Sequence, residues 1–374
     1  MDSQETRRVV QKQERQNFWD RLLNQYDLLE LVLDLCSPAS LFNLAKTCHS
    51  YHAALKPHYQ LLWDINRHLK RYFSNPIAFR NLQARTATLI SGSSALQFLD
   101  RTIYDGSDLD LYVYDDMLKE VCEWIMSDGY VFVPRPGQQR DLDVAVLRYR
   151  DPVRATYPSH IEIYDMPGIV NIIDLVRPEG GPKIHIIAAD KTPMQVILGF
   201  HSTCVMNVIS FEKAYSLYPM ATFEKRCSLA CAREGPIINT AVELARCKYM
   251  LRGWSTLRHV PQQEQDDIHS PFSTCLRSIA DRFSWVLPLD TTGVSNENRL
   301  THVPGLSNDP VHATSWQLGY GAGSRELTVV YSILAFPYLR YAYALSRVRT
   351  LAECCFRLMQ VSSVREPRRT FGSE

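Results

Sequence analysis

The sequence has almost no net charge: lysine and arginine together number 41, and aspartate and glutamate together number 40. Nucleic acids and anionic membranes attract proteins with a large positive excess, so neither is indicated as the main partner. Long apolar runs are also scarce. The most apolar stretch, residues 327–345, contains Pro337 and Arg340 and predicts a buried helix or a broken helix pair rather than a membrane span.

The ten cysteines lack the spacing of a zinc site or a disulfide framework, because no CxxC pair faces a second CxxC or an HxxxH. Cys36, Cys48 and Cys122 fall on apolar helical stripes, where free cysteine acts as a small hydrophobe. The first eight residues contain no apolar run, so we expect no signal peptide. These features predict an intracellular, reducing compartment, either the cytoplasm or the nucleus.

Short helices are predicted up to about residue 75, after a flexible N-terminus over residues 1–20. Ser37-Pro38 suits the start of a second helix, with serine as the cap and proline at the first helical position. A third helix is predicted over residues 59–72. Apolar residues recur at helical spacing in two stripes, Leu28, Leu31, Val32 and Leu35, then Leu41, Leu44, Ala45 and Cys48.

Residues 21–75 resemble an F-box, with a helix, a Ser-Pro break and an LxxLxxxC helix from Leu41 to Cys48. The Leu-Pro pair that usually opens the motif is replaced by Asp27-Leu28. The resemblance implies a Skp-type adaptor of a cullin ubiquitin ligase as partner. Leu28, Leu31, Leu41 and Leu44 would then lie partly at the interface. A plain helical bundle is the alternative.

From about residue 86 the pattern changes to strand, helix, strand, helix, strand within fifty residues. A short β-type run leads into Gly92-Ser93 and an apolar helical stripe. Residues 107–113 then alternate, with Asp108 and Asp110 on one face and apolar residues on the other. Gly129 ends the second helix, and residues 130–133 form the next strand.

Nucleotidyl transfer requires a phosphate cradle and a pair of metal-binding carboxylates. A helix N-terminus after a small-residue turn provides free N–H groups and a favourable dipole for phosphate. Two acids at positions i and i+2 of a strand project from one face and can share Mg²⁺ ions. Gly92-Ser93 and the pair Asp108 and Asp110 have this arrangement.

These residues resemble the DNA polymerase β-like nucleotidyltransferase superfamily over residues 86–200. The superfamily pattern is a hydrophobic residue and Gly-Gly or Gly-Ser at a helix start, then Asp-x-Asp or Asp-x-Glu on the next strand. By resemblance, Gly92 and Ser93 would contact the phosphates of an NTP, while Asp108 and Asp110 would hold Mg²⁺ and be catalytic. Ser91 stands at the hydrophobic position, and the gap of fourteen residues is one residue longer than the pattern.

An active enzyme of this superfamily usually has a third acid on a later strand. Asp174 is our first candidate, followed by Glu162 and Asp143, each on a β-like run. If residues 183–187 form that strand, its central polar residue is His185, a structural strand histidine rather than a metal ligand. The non-functional alternative makes Asp108 a turn cap and Asp110 a solvent-facing strand residue.

Four blocks, residues 90–98, 107–113, 200–207 and 213–217, resemble a group of fungal proteins that join an F-box-like segment to such a domain. This resemblance implies an architecture but no substrate. We predict an α+β fold with a small helical bundle, a mixed sheet with flanking helices and a helical C-terminal region. The predicted segments after residue 200 are a helical extension over 201–260, loops over 261–325 and helix over 326–362. Two functions are compatible with the sequence, a Mg²⁺-dependent nucleotidyltransferase whose catalysis can be lost, and a non-catalytic recruiting adaptor.

Overall fold

The computed structural model describes residues 26–45, 47–147, 168–231, 240–295, 308–320, 327–335, 339 and 341–346. The predicted N-terminus over 1–20, Glu162 with the β-like run around it, and the predicted helix beyond residue 346 lie outside the described residues. The chain divides into two compact units after Asp64.

The first unit is helical, as its apolar periodicity predicts. The cap predicted at Ser37 is present, since its Oγ accepts a hydrogen bond from the N–H of Ser40 at 3.2 Å. Leu41 is fully buried and so belongs to the core, which corrects its expected place at an interface. Leu31 and Leu35 are exposed instead. The helices are α1 (Tyr26–Leu35), α2 (Pro38–Ala45) and α3 (His49–Leu62).

The second unit is a mixed α and β structure. Local signals set several of its boundaries: Asn75 caps one helix by accepting from the N–H of Ala78 at 3.0 Å, and Pro193 begins another. The helices are α4 (Ile65–Leu69), α5 (Pro76–Thr86), α6 (Gly92–Asp100), α7 (Leu118–Ser127), α8 (Leu142–Ala145), α9 (Pro193–Leu198), α10 (Thr240–Leu251) and α11 (Gln262–Asp266).

Most strands of the second unit belong to one eight-stranded sheet. All the strands described in this unit are β1 (Leu89–Ser91), β2 (Leu109–Tyr114), β3 (Val131–Val133), β4 (Ile169–Val176), β5 (Ile184–Ala189), β6 (Asn207–Ile209), β7 (Lys213–Ser216), β8 (Cys227–Leu229), β9 (Ser255–Leu257), β10 (Arg277–Ser278), β11 (Trp285–Pro288), β12 (Ser315–Tyr320), β13 (Leu327–Val330), β14 (Ser332–Leu334) and β15 (Tyr343–Leu345). The order in that sheet is β11-β7-β6-β1-β2-β5-β4-β3.

The predicted succession of strand and helix from β1 to β3 is confirmed, and so is the hairpin of β4 and β5. Within the large sheet β2 and β5 run parallel, while β1 is antiparallel to β2 and β4 is antiparallel to β5. The apolar residues of β2, Leu109, Leu111 and Val113, are fully buried. Because side chains alternate along a strand, Asp108 and Asp110 lie on the opposite face, which carries the candidate site described below.

Three secondary-structure predictions are wrong. The described part of 201–260 contains four strands and one long helix, and the described part of 326–346 contains strands rather than helix. Strands β11 and β12 also interrupt the predicted loop region. Short strands buried on both faces, such as β6, lack alternation and cannot be told from buried helix by periodicity alone.

The strand predicted over residues 141–149 is also wrong in its described part, which holds α8. Asp141 caps this helix by accepting from the N–H of Val144 at 3.2 Å, so capping overrides the β-like alternation. None of the helices described has the length and apolar character needed to cross a membrane.

Candidate functional site

The candidate site lies on the polar face of β2, β5 and β4. Asp110 is paired directly with His185, and His185 is paired directly with Asp174 on the next strand. Residues paired across neighbouring strands project from the same face of a sheet, so these three side chains stand in one row. Asp108 precedes Asp110 by two residues and shares that face.

His185 stands in the middle of the acids. Its Nδ1 lies 3.3 Å from Oδ1 of Asp110, although the geometry is not that of a hydrogen bond. Its Nε2 lies 3.9 Å from Oδ2 of Asp108 and 4.0 Å from Oδ1 of Asp174. His185 therefore lies within 4.0 Å of all three carboxylates.

Arg135 holds the carboxylate of Asp174. Its Nε donates to Oδ2 at 2.8 Å and its Nη2 donates to Oδ1 at 2.6 Å, a bidentate pair. Both side chains are mostly buried, with 14% and 23% of their surface exposed. Val133 on β3 is paired with Asp174 on β4. This pairing places Arg135, two residues after Val133, next to the carboxylate. We call Asp108, Asp110, Asp174, His185 and Arg135 the ion-pair cluster.

Electrostatics favour a charged His185. Burial lowers its pKa, but the carboxylates of Asp110, Asp174 and Asp108 together outweigh burial and raise the pKa above its usual value. An imidazolium at this position neutralises part of the negative charge that a metal site would need. Arg135 neutralises another part.

Gly92 allows Asp110 to approach the start of α6. Its φ is +64°, and a Cβ at this position would stand 2.6 Å from Oδ2 of Asp110. The carboxylate therefore lies beside the first residue of the helix, where the helix dipole favours a negative charge. Ser93 follows at the next position and is buried. The structure thus brings Gly92, Ser93, Asp108 and Asp110 together as the sequence predicts.

The two described candidates for the third acid, Asp174 and Asp143, lie in different places. Asp174 joins the site but is bound by Arg135. Asp143 is exposed and pairs with Lys119 at 2.6 Å. Sequence reasoning missed Arg135, because its relation to Asp174 depends on the pairing of β3 with β4 and has no local signal.

The residues present do not fit a two-metal centre. Mg²⁺ prefers oxygen ligands in octahedral geometry, and a two-metal clamp needs several carboxylates to neutralise it. Here one neighbouring position carries the imidazole of His185, and Asp174 is neutralised by Arg135. Within the described ranges, no group of three or more histidine, cysteine, aspartate or glutamate side chains has metal-binding geometry.

Helix α10 adds positive charge near the acids. Burial and the charge of Arg252 lower the pKa of Lys248, while Asp110 and Asp108 act in the opposite direction. The acids are therefore within electrostatic range of Lys248. A separate cavity of about 500 Å³ involves α10 and β9, and none of the predicted site residues lines it; its lining includes Glu243, Arg246, Cys247, Leu257, Arg258 and His259.

The chain matches no protein-family model, no curated protein and no solved structure. The resemblances to an F-box and to the nucleotidyltransferase superfamily therefore stay predictions.

Proposed function

We propose that the second unit is a nucleotidyltransferase-like domain that has lost catalysis and retains a binding role. The observation that carries this proposal is the position of His185 between Asp110 and Asp174 in one row of the sheet. A third carboxylate at this position would bind metal and help to deprotonate an attacking hydroxyl. A protonated imidazole does neither, and the surrounding carboxylates favour protonation because they raise the pKa of His185.

The N-terminus of α6, which we call the mouth of α6, supports the retained binding of an anionic ligand. Gly92 and Ser93 open the helix, and its first N–H groups favour an anion. The carboxylate of Asp110 lies beside this N-terminus. It would repel the phosphates of an NTP unless a cation lay between them. Binding of NTP is therefore expected to be weak, and transfer of a nucleotidyl group is expected to be absent.

The test is a nucleotidyl-transfer assay with ATP, GTP, CTP and UTP, each with Mg²⁺ or Mn²⁺, together with calorimetric titration of the same ligands. We expect no transfer by the wild type. Transfer that disappears in the double variant Asp108→Asn plus Asp110→Asn would overturn the proposal and establish a Mg²⁺-dependent nucleotidyltransferase. Asp143→Asn is the matched control, because this exposed aspartate lies outside the ion-pair cluster.

His185→Asp provides a second test of the same idea. An added carboxylate beside Asp108 and Asp110 should tighten Mg²⁺ binding by about tenfold, which corresponds to about 1.4 kcal/mol. Calorimetry with MgCl₂ measures this change against His259→Asp, a histidine that lines the separate cavity. Equal Mg²⁺ affinity in wild type and His185→Asp would mean that His185 does not replace a metal ligand.

A second function is supported by the first unit. Leu31, Val32 and Leu35 of α1 are exposed, with 89% of Leu35 accessible, although they recur at helical spacing. An exposed apolar helical stripe suits a protein partner. By resemblance to the F-box, we propose a Skp-type adaptor of a cullin ubiquitin ligase as that partner.

Pull-down of a Skp-type adaptor by the full chain tests this second function. Leu31→Asp plus Leu35→Asp should abolish capture without unfolding the protein, because both side chains are exposed. Leu61→Asp changes an equally exposed leucine of α3 and serves as the control. Absence of capture by the wild type would exclude the adaptor function.

A further inference from the structure

Arg252 has an unusual environment at the end of α10. Its guanidinium lies over the ring of Tyr104, 3.9 Å from the ring centroid, and 5.5 Å from the ring centroid of Tyr249. Such stacking uses the flat faces of the guanidinium. The N–H groups at its edge remain directed away from the rings and can bind an acceptor.

Two buried polar atoms in this arrangement make no hydrogen bond within the part of the chain that the structure describes. They are Nη1 of Arg252 and Oη of Tyr104. Buried donors almost always have an acceptor in a folded protein, so each exception requires an explanation. Two such exceptions on side chains that contact each other point to one missing acceptor group.

Two positive charges also lie close together here. Lys248 precedes Arg252 by four residues, and among the residues described neither of them forms an ion pair. Burial and the charge of Arg252 lower the pKa of Lys248, so the two cations repel each other. By contrast, the neighbouring Arg226 is paired with Asp100 at 2.8 Å.

Tyr104 connects this group to the segment that leads into β2. Tyr104 belongs to the loop between α6 and β2, four residues before Asp108. Asp108 and Asp110 both act on the charge of Lys248. A ligand held by Arg252 and Tyr104 would lie toward the end of α6, where the N–H of Tyr104 donates to Oε1 of Gln97 at 2.9 Å.

We propose that Arg252, Tyr104 and Lys248 form a binding site for the phosphate group of a small-molecule ligand, without a metal ion. A phosphate presents several acceptor oxygens and two negative charges, which match one guanidinium edge, one phenol O–H and one ammonium. A carboxylate offers two oxygens and a single charge and would leave part of this set unmatched. The inference rests on the proposed function, in which the domain binds without turnover.

The experiment is calorimetric titration of the full chain in EDTA with inorganic phosphate, AMP and adenosine. Inorganic phosphate and AMP should bind and adenosine should not. If AMP binds more tightly than inorganic phosphate, the phosphate belongs to a nucleotide; equal affinity assigns it to simpler phosphate compounds. Binding of adenosine without binding of phosphate would overturn the proposal, as would the absence of phosphate binding.

Variants locate the site. Arg252→Gln should weaken phosphate binding by at least about tenfold, since a charge-assisted bidentate contact is lost. Arg282→Gln is the matched control, because Arg282 also lies over an aromatic ring, that of Phe283 at 4.6 Å, and should leave binding unchanged. Unchanged binding in Arg252→Gln would overturn the proposal.

Tyr104→Phe keeps the inference testable if Arg252→Gln fails to fold. It removes only the hydroxyl, which makes no hydrogen bond in the described part of the chain, so the melting temperature should not fall. Phosphate binding should weaken about threefold, the loss of one neutral donor. Asp108→Asn plus Asp110→Asn should retain phosphate binding, which separates this inference from the transfer assay of the proposed function.

Discussion

Arg135 and Arg252 are both partly buried arginines on the side of the molecule that carries the acids, yet they are used differently. Arg135 donates two hydrogen bonds to the carboxylate of Asp174. Arg252 stacks on Tyr104, and its Nη1 makes no hydrogen bond to a described residue. The first arginine is satisfied within the fold. The second has capacity left for a ligand.

The same contrast distinguishes the ion-pair cluster, which lacks the charges needed for catalysis, from the cations near α10, which can bind a ligand. In the ion-pair cluster, positive groups lie between acids that would otherwise attract metal ions, and His185 is held by three carboxylates. Partly buried charges that compensate each other are costly to separate and offer little to Mg²⁺. Near α10, Lys248 and Arg252 form no ion pair with a described residue, and their repulsion favours an anion. Recognition by the second unit is therefore expected to depend on its cations rather than on its carboxylates.

The largest expected effect is loss of stability in Arg135→Met. This variant leaves the mostly buried Asp174 without its bidentate partner, and breaking such a pair costs about 3 kcal/mol. Chemical denaturation monitored by circular dichroism measures the change in the free energy of unfolding.

Lys119→Met is the matched control for Arg135→Met. Lys119 contacts Asp143 at the same 2.6 Å, but their side chains are 53% and 72% exposed, so the loss should be far smaller. Equal losses in the two variants would mean that Asp174 does not depend on Arg135, and the comparison between the two arginines would fail.

Gly92→Ala should produce the next largest effect. Gly92 and Gly106 have nearly equal φ, +64° and +65°, but only Gly92 has Asp110 within reach of an added Cβ. Both alanine variants should lose about 1 kcal/mol from backbone strain, and Gly92→Ala should lose roughly 1 kcal/mol more from the clash. Thermal and chemical denaturation of the two variants measure the difference.

A double variant isolates the contribution of Asp110. Asp110→Ala removes the carboxylate that the new Cβ would contact. In the Asp110→Ala background, Gly92→Ala should therefore cost only the backbone strain, and the additional loss of unfolding free energy should disappear. Additive losses would indicate that Asp110 does not approach the start of α6. The phosphate cradle and the acid pair would then be independent.

The sequence predicts the local parts of this site better than its long-range parts. Alternation places Asp108 and Asp110 on one face, and the glycine turn with its helical stripe predicts α6, because both signals lie within a few residues. The row from Asp110 through His185 to Asp174 depends on the register of three strands. The pairing of β2 with β5 joins distant segments, and the register of the β4–β5 hairpin depends on its turn, so neither can be read from one strand alone.

The wrong helix predictions after residue 200 have a related cause. Strands β6 and β8 are three residues long and buried throughout, so they carry no alternation. Their pairing with partners elsewhere in the chain, β6 with β1 and β7 and β8 with β9, decides their conformation. The site near α10 was missed for the same reason, since Tyr104 and Arg252 are far apart in sequence and meet only through the fold.

The smallest expected effect is that of Lys248→Met. This variant tests whether the positive charge near Arg252, unlike that of Arg135, contributes little to stability. Lys248 is exposed and forms no ion pair with a described residue, so removal of its charge should change the free energy of unfolding by less than about 0.5 kcal/mol. Relief of its repulsion with Arg252 makes a slight gain in stability the expected sign. A loss above about 1 kcal/mol would show that this lysine stabilises the fold, as Arg135 does. The positive charge near α10 would then be as fully engaged as that of the ion-pair cluster, and the reason for expecting a phosphate there would be removed.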